Sequence, residues 1–459
     1  MNPSSFTVPT LCCAARADVP KIRKKRVPLF IALRVGALLL LAGCHSPDRL
    51  PAVGAEAYYQ WLHGCLDGLD RDLPAMTRSA EQSAVAYLQD GWEIGAYGDR
   101  GMVGEFNSRA GGMMRTSRPE VLEKPAWQGI VLVFPREAML DADLAIAKEF
   151  RKQGKIVIGF GGAAIQQAAR NVGLEWNAFI DIHAAPYDGL FPASDGRWVV
   201  PTVPTAEIAA VWTWTGEFIG ALTRLGKMPP MGLSIMVPGA DDRWKKYENL
   251  KFHEQIPVKV APGKLGHEYL IELRKNLEVV HSQELGRIVK VADRAVTTRR
   301  AGQKVHVFAH GHAIRYQVGL LHDAGYFHQV NHGLFTLIKD HGIGKGDFVF
   351  CLGYDRIFQG WYFEDDLDRL RATGATLAWS MTDYNNVLDP KIGPEALPKD
   401  EIIVGQHWAL GDSVVPVPGY DIKILSPSSV VAEAVLWMTE AQMLAILGPD
   451  SPVATPSAD

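Results

Sequence analysis

Histidine is concentrated in one stretch of the chain, and an imidazole ring can carry a proton or ligate a metal near neutral pH. Seven of the 14 histidines fall from His306 to His341, and two of these, His310 and His312, flank Gly311 where an apolar run ends. A His-x-His pair across a turn can supply two zinc ligands, but no cysteine accompanies this one. We predict that His310, Gly311 and His312 contact a ligand, with His312 as the candidate proton carrier, and that no metal or other cofactor is bound.

A second polar turn follows another apolar run and reads Tyr97-Gly98-Asp99-Arg100-Gly101. Two glycines at this spacing are a weak match to a phosphate-cradling loop. A carboxylate such as Asp99 accepts hydrogen bonds from sugar hydroxyl groups instead. We therefore predict that Gly98, Asp99 and Arg100 line a binding site for a sugar.

The elements that must position these turns occur twice, at an offset of roughly 214 to 224 residues. Short apolar strands alternating with helices are typical of parallel sheets covered on both faces. The repeat therefore predicts an α/β protein with two tandem, doubly wound parallel-sheet domains related by internal duplication. Three blocks match in order: 93–99 with 305–312, 129–134 with 347–352, and 179–183 with 402–407.

Two further segments extend the match. The first block runs on to Arg109-Ala110-Gly111-Gly112 in the first half and to Asp323-Ala324-Gly325-Tyr326 in the second. The third block is followed in each half by a Pro-Thr or Pro-Ser pair that begins a mostly apolar helix, at Pro204-Thr205 and at Pro427-Ser428. Proline and a small hydroxyl residue are typical of helix starts.

The repeat also divides the chain. We predict the first domain over 52–230 and the second over 265–448, each beginning with a long helix, and a disordered tail over 449–459. Between the domains, 231–264 is rich in Pro, Gly and Lys and is interpreted as a linker. A length of 459 residues with 47% hydrophobic and 21% charged residues fits ordinary globular domains. The net charge of -4 argues against a nucleic-acid partner.

The first 43 residues differ from the rest. A basic segment over 21–26 precedes an apolar run over 35–42, which is shorter than the about 20 residues of a membrane span and indicates a signal peptide. The run ends in Leu41-Ala42-Gly43-Cys44, which resembles the lipobox of bacterial lipoproteins, where the cysteine is diacylated. We predict export and anchoring to the membrane through Cys44. The next residue is His45 and not an aspartate, which resembles outer-membrane sorting in double-membraned bacteria and implies the periplasmic side of the outer membrane.

The order of helix, strand, glycine-bearing turn, helix and strand resembles the SIS (sugar isomerase) domain. In one SIS subfamily the first turn reads G-x-G-H-S and the next helix ends in E-x-x-x-R-A-G-G. The second half supplies Gly311-His312 of that turn, and the first half supplies Glu105 and the run 109–112. The resemblance covers nearly all of 52–448 and implies SIS-like, flavodoxin-type domains with a site at the carboxyl ends of the strands, between the two units.

The resemblance also implies candidate roles for residues. Glu105 lies where some SIS isomerases carry a catalytic glutamate, and the alternative is a salt-bridged helix glutamate. Loops after the second strand usually hold a sugar phosphate with hydroxyl groups, whereas here they read Pro-Arg-Glu-Ala over 135–138 and Gly-Tyr-Asp-Arg over 353–356. The predicted ligand contacts in and near these loops are Arg136, Asp355 and Arg356, with Arg315 after the histidine turn.

Three functions remain open at this point. We favour an exported, lipid-anchored protein that binds a sugar or amino sugar between its halves. The first alternative is an active phosphosugar aldose-ketose isomerase, which would use Glu105 with a histidine as base and ring opener. The second is a structural or protein-binding envelope module. The chain is expected to be either a monomer whose domains pair internally or a homodimer.

Overall fold

The computed structural model describes residues 52–107, 109–192, 196–309, 342–353, 369–382 and 400–448, and 328–330 as backbone only. All of these belong to one compact unit, Pro51–Asp459. The predicted signal peptide, Cys44 and the tail over 449–459 lie outside the described residues.

The first half is built on a four-stranded parallel sheet in the order β1-β2-β3-β4. Its central strands are almost entirely buried, which explains why they read as continuous apolar runs in the sequence. Parallel pairing is in register from Ile94 opposite Ile130 to Phe160 opposite Ile180. The strands are β1 (Trp92–Gly98), β2 (Gln128–Phe134), β3 (Ile156–Gly161) and β4 (Ala178–Asp181).

The second half has five parallel strands. They are numbered β7 to β11, because the short strands β5 and β6 described below precede them in the chain. Their order is β8-β7-β9-β10-β11, which is the flavodoxin order of a doubly wound sheet. In the first half, a single parallel bridge joins Ser117 to Gly95 at the edge of β1. This edge corresponds to the edge of β7 with which β8 pairs in the second half. The prediction of two parallel α/β sheets is confirmed. The strands are β7 (Val305–Ala309), β8 (His328–Val330), β9 (Phe348–Leu352), β10 (Thr376–Met381) and β11 (Ile402–Gly405).

Each half ends with a two-stranded antiparallel pair and a long helix. The pairs are β5 (Phe191–Pro192) with β6 (Trp198–Val199), and β12 (Val415–Pro416) with β13 (Lys423–Ile424). The helices are α1 (Val53–Tyr87), α2 (Arg100–Phe106), α3 (Pro119–Leu122), α4 (Leu140–Lys152), α5 (Ala163–Asn171), α6 (Val203–Arg224), α7 (Ala240–Tyr247), α8 (Lys264–Arg300) and α9 (Ser428–Leu447).

The long helices α1, α6, α8 and α9 pack on one another and share the largest apolar core with strands of both sheets. Within the described part of the chain, α9 is the one helix long and apolar enough to cross a bilayer. Most of α9 is buried among the other helices, so we assign it to the core of the fold. Both α6 and α9 nonetheless carry glutamates inside this core, and these lead to the candidate site.

Candidate functional site

The predicted turn after β1 holds an aspartate at the carboxyl end of the first sheet. Gly98 has φ of 111°, and a Cβ there would lie 2.0 Å from the carbonyl oxygen of Phe134, so only glycine fits. The backbone N–H of Asp99 donates to that same oxygen at 2.9 Å, and its carboxylate accepts from the N–H of Met102 at 3.0 Å. Asp99 thereby begins α2 and is half-buried, while Arg100 is exposed.

Three further acids lie near Asp99. Asp188, in the loop after β4, accepts from the N–H groups of Thr202 and Val203 at 3.2 and 2.8 Å and so caps α6. Glu207 follows on α6 and is only 3% exposed. Glu433 comes from α9 of the other half and is fully buried. We call Asp99, Asp188, Glu207 and Glu433 the acidic cluster.

The buried carboxyl groups of the acidic cluster have few partners. The hydroxyl of Thr205 donates to Oε2 of Glu433 at 2.9 Å and also contacts the hydroxyl of Tyr58. The indole N–H of Trp437, one turn further along α9, lowers the pKa of Glu433, but within the described part of the chain neither Nε1 of Trp437 nor Oε1 of Glu433 makes a hydrogen bond of good geometry. A buried carboxyl oxygen that is left unpaired is energetically costly, which makes this atom a candidate ligand contact.

Burial and mutual repulsion set the pKa values of these acids. Burial, followed by the charges of Asp99, Asp188 and Glu433, raises the pKa of Glu207 well above its usual value. Burial also raises the pKa of Glu433, to which the charges of Glu105 and Asp99 add. The pKa of Asp188 rises to about 6, chiefly through burial. The cluster is therefore a place where added positive charge or hydrogen-bond donors would be favourable.

Glu105, the predicted catalytic glutamate, lies on α2 and is fully buried. Its Oε1 accepts from Nε1 of Trp212 at 2.9 Å and pairs with Nε of Arg109 at 3.3 Å, and its Oε2 accepts from the hydroxyl of Ser429 at 2.9 Å. Both oxygens are engaged, as in the salt-bridged alternative that the sequence left open. The catalytic role of Glu105 stays a prediction.

The run 109–112 joins the two halves. Nη2 of Arg109 pairs with Oδ2 of Asp412 at 3.2 Å and donates to the hydroxyl groups of Ser426 and Ser428. Gly111 has φ of 74° and its carbonyl oxygen accepts from the N–H of Leu425 at 2.8 Å, so close that a Cβ would lie 2.9 Å from that nitrogen. This motif therefore holds the first half against the second.

Arg136, predicted to hold a phosphate, is committed to a neighbouring acid. Its Nε and Nη2 donate to the two carboxylate oxygens of Asp143 at 3.0 and 2.5 Å. The hydrogen bonds to Asp143 raise the pKa of Arg136 further. An anion bound here would have to share the guanidinium with a buried carboxylate.

Two histidine-carboxylate pairs were not predicted. Nε2 of His183 lies 2.8 Å from Oδ2 of Asp72, and Nε2 of His407 lies 2.9 Å from Oε1 of Glu284. Both histidines follow the fourth matching strand of their half and have positive φ, 55° and 57°. The signal was present in the sequence, since each histidine closes the third block of the repeat.

Other predicted contacts cannot be placed. His310, Gly311, His312, Arg315, Asp355 and Arg356 all lie outside the described residues. Within the described ranges, no three His, Cys, Asp or Glu side chains are grouped as a metal ion would require.

Comparison with known proteins gives distant structural similarity only. No family model matches the chain, and no curated protein does. The C-terminal domain of glucosamine-fructose-6-phosphate aminotransferase from Francisella tularensis is 11% identical, with a TM-score of 0.40, over 83% of this chain and 96% of that one. A proposed phosphosugar isomerase from Silicibacter pomeroyi is 13% identical, with a TM-score of 0.41, over 86% and 99%.

A proposed sugar-binding protein from Salmonella typhimurium is similar at the same level, with 10% identity and a TM-score of 0.40 over 85% of this chain and 100% of that one. The fold of the present chain is taken from its own strand order and repeat. Its function is argued from the site.

Proposed function

We propose that the chain binds an unphosphorylated sugar or amino sugar at the acidic cluster, at the carboxyl ends of the first sheet. The observation that carries this proposal is that the buried Glu207 and Glu433 lie beside Asp188 and Asp99, while no basic side chain of the described residues pairs with Asp188, Glu207 or Glu433. Carboxyl groups accept hydrogen bonds from sugar hydroxyl groups and from ammonium groups. The position also agrees with the rule that ligands of doubly wound sheets bind outside the carboxyl ends of the strands.

The charge of the cluster argues against a phosphorylated ligand. A phosphate near Asp99, Asp188 and Glu207 would be repelled by each carboxylate that is ionised. The arginine of the described part that was predicted to hold it, Arg136, donates to Asp143 instead. The loop after β2 offers no hydroxyl group in its Pro-Arg-Glu-Ala sequence.

The proposal includes the cell envelope as the location. The segment that ends in Leu41-Ala42-Gly43-Cys44 supports export and a lipid anchor, because it resembles a lipobox. Sugar phosphates are charged metabolites retained in the cytoplasm, whereas free amino sugars from cell-wall turnover are available outside it. An unphosphorylated ligand is thus consistent with both the predicted location and the charge of the acidic cluster.

A thermal-shift titration of the full-length chain in detergent tests the proposal. The probes are D-glucose, N-acetyl-D-glucosamine and D-glucosamine, each with and without a 6-phosphate. A ligand that binds the folded state at a hundredfold excess over Kd stabilises it by about 2.7 kcal/mol, which is readily visible. We expect shifts with unphosphorylated sugars and a smaller shift in the variant Asp99→Asn, which keeps an oxygen to cap α2.

The matched control is Glu149→Gln, which removes an exposed acid of α4 near the amino-terminal end of β3. This variant should respond to sugars like the wild type. A shift only with 6-phosphorylated sugars would overturn the proposal in favour of the isomerase. No shift with any of the six probes would overturn it in favour of a structural module.

A further inference from the structure

The two halves share one loop structure after their last sheet strand. In the first half positive φ occurs at His183, Asp188 and Val200, with values of 55°, 46° and 65°. In the second half it occurs at the matching positions 407, 412 and 425, with values of 57°, 48° and 65°.

Hydrogen bonds repeat as well. The N–H of Leu190 donates to the carbonyl oxygens of Val199 and Val200, and the N–H at position 414 donates to those at 424 and 425. Asp188 and Asp412 are therefore equivalent residues in equivalent loops, each at the start of the last helix of its half.

The two equivalent aspartates differ in their charge partners. Asp412 is paired with the guanidinium of Arg109 at 3.2 Å, and that guanidinium, which comes from the other half, is itself only 1% exposed. Asp188 accepts only backbone N–H groups. The residue that the repeat aligns with Arg109 is Asp323, an acid, and it lies outside the described residues.

The surroundings of Asp188 increase this difference. Glu207 and Glu433 add two buried carboxyl groups, and every charged side chain that shifts the pKa of Glu207 is an acid. Within the described part of the chain, no basic side chain forms an ion pair with Asp188, Glu207 or Glu433. The equivalent Asp412 pairs with a guanidinium, which is an independent sign that a cation fits this position of the loop.

We propose that the acidic cluster binds the protonated amine of an amino sugar, which occupies at Asp188 the role that the guanidinium of Arg109 has at Asp412. This inference rests on the proposed function and narrows it to sugars with a free primary amine. An ammonium group has three N–H donors and no acceptor, so it suits carboxyl oxygens that lack donors. An N-acetylated sugar has lost the charge and two of these donors.

The pKa values add a measurable consequence. Glu207 and Glu433 have raised pKa values because of burial and because of the acids near them, which are Asp99 at the start of α2, Asp188 on its loop and Glu105 on α2. An ammonium group favours the ionised carboxylate, so binding at neutral pH should release protons from the protein. A neutral sugar should release none.

Isothermal titration of the full-length chain in detergent, in two buffers of different ionisation enthalpy, measures both affinity and proton release. The probes are D-glucosamine, D-galactosamine, N-acetyl-D-glucosamine and D-glucose at pH 7. We expect the two amines to bind at least tenfold more tightly than the two neutral sugars, and to release protons. Glu207→Gln and Glu433→Gln should each lower the affinity for the amines at least tenfold and that for the neutral sugars by a smaller factor, because the glutamine side chain keeps an oxygen that accepts from a hydroxyl group.

These substitutions replace acids whose ionisation is unfavourable in the fold, so the variants are expected to fold, and circular dichroism checks this. The control is Glu440→Gln, which removes another buried acid two turns further along α9 and should keep wild-type affinities. Magnesium and calcium chloride serve as alternative cations.

The outcomes separate the two proposals. If neutral sugars bind as tightly as amines, or if magnesium or calcium competes with D-glucosamine, the amine site is wrong while sugar binding stands. If Glu207→Gln and Glu433→Gln weaken the binding of the amines more than that of the neutral sugars, the amine site is supported. If none of the sugars binds, the proposed function itself is overturned.

Discussion

Asp188 and Asp412 occupy the same position in the two halves but differ in what neutralises them. Burial raises the pKa of each to about 6, and in each case hydrogen bonds from the start of the following helix oppose this rise. At Asp412 the guanidinium of Arg109 lowers the pKa while Glu105 raises it, whereas at Asp188 the charges of Glu137 and Asp99 both raise it. One aspartate has its cation within the chain, and the other faces more acids.

The differences between the two halves distinguish residues that serve folding from residues that are candidates for ligand binding. Features found in both halves, such as the loop conformation and the histidine-carboxylate pairs at His183 and His407, are explained by folding alone. Among the described residues, the cation at Asp412 has no counterpart at Asp188, and the buried Glu207 and Glu433 lie near Asp188. Since an unbalanced buried charge is costly, the side that retains it is the better candidate for a ligand site.

Removing the cation at Asp412 should give the largest effect. Arg109→Met leaves Glu105 and Asp412 buried without their shared partner, and we expect a loss of about 3–5 kcal/mol in the free energy of unfolding. Urea titrations followed by circular dichroism measure this loss. Arg115→Met is the control, because its pair with Glu93 is partly exposed and should contribute less than about 1 kcal/mol.

A double variant sharpens this test. Combining Arg109→Met with Asp412→Asn removes both the cation and one of its acids, and should recover part of the lost stability. A loss below about 1 kcal/mol in Arg109→Met would show that the pair does not balance the charge of Asp412, and the contrast with Asp188 would then fail.

Much of the fold is predictable from the sequence because the repeat shows it twice. The apolar runs that became β2 and β9 were recognisable because parallel strands covered on both faces exclude polar residues. The turn at Gly98 and Asp99 was also predicted, and it lies beside the acidic cluster. The run 109–112 was noticed as a motif, but its partners lie in the other half and no local pattern reveals them.

Asp188, Glu207 and Glu433 were missed because their significance depends on burial and on contacts between distant segments. An aspartate in a loop is ordinarily solvated, and a helix glutamate ordinarily faces water. The available signal was weak: Glu207 and Glu433 each interrupt the apolar first turns of a helix that begins with a Pro-Thr or Pro-Ser pair. Only the packing of α6 and α9 brings them together.

Replacing each aspartate by asparagine should change stability by different amounts. The folded-state pKa of Asp188 is raised from 3.8 to about 6, so its protonated form stabilises the fold at low pH and this contribution is lost as the pH rises through 6. Asp188→Asn keeps an oxygen to cap α6. It should match the wild type near pH 4 and exceed it by roughly 1–2 kcal/mol at pH 7.5.

Asp412→Asn should gain less at pH 7.5, because the pKa of Asp412 is also raised to about 6 but the substitution takes away one of the acids that pair with the buried guanidinium of Arg109. Urea titrations of both variants at the two pH values give the comparison. Equal gains in both variants would mean that Arg109 makes no difference between the two halves.

Replacing His183 or His407 should change the free energy of unfolding least, and it tests whether equivalent residues of the two halves behave alike. Asparagine tolerates positive φ, so His183→Asn and His407→Asn remove the imidazole with little backbone cost. His407 pairs with Glu284, which is 1% exposed, whereas Asp72 beside His183 is 46% exposed and can be solvated instead. We expect His407→Asn to lose about 1 kcal/mol and His183→Asn less than about 0.5 kcal/mol in urea titrations. Equal losses would indicate that the ring packing shared by both halves, and not the burial of the acid, determines the cost.

A loss of D-glucosamine affinity in His183→Asn and not in His407→Asn would extend the amine site to the pair of His183 with Asp72, because Asp188 of the acidic cluster lies on the same loop as His183.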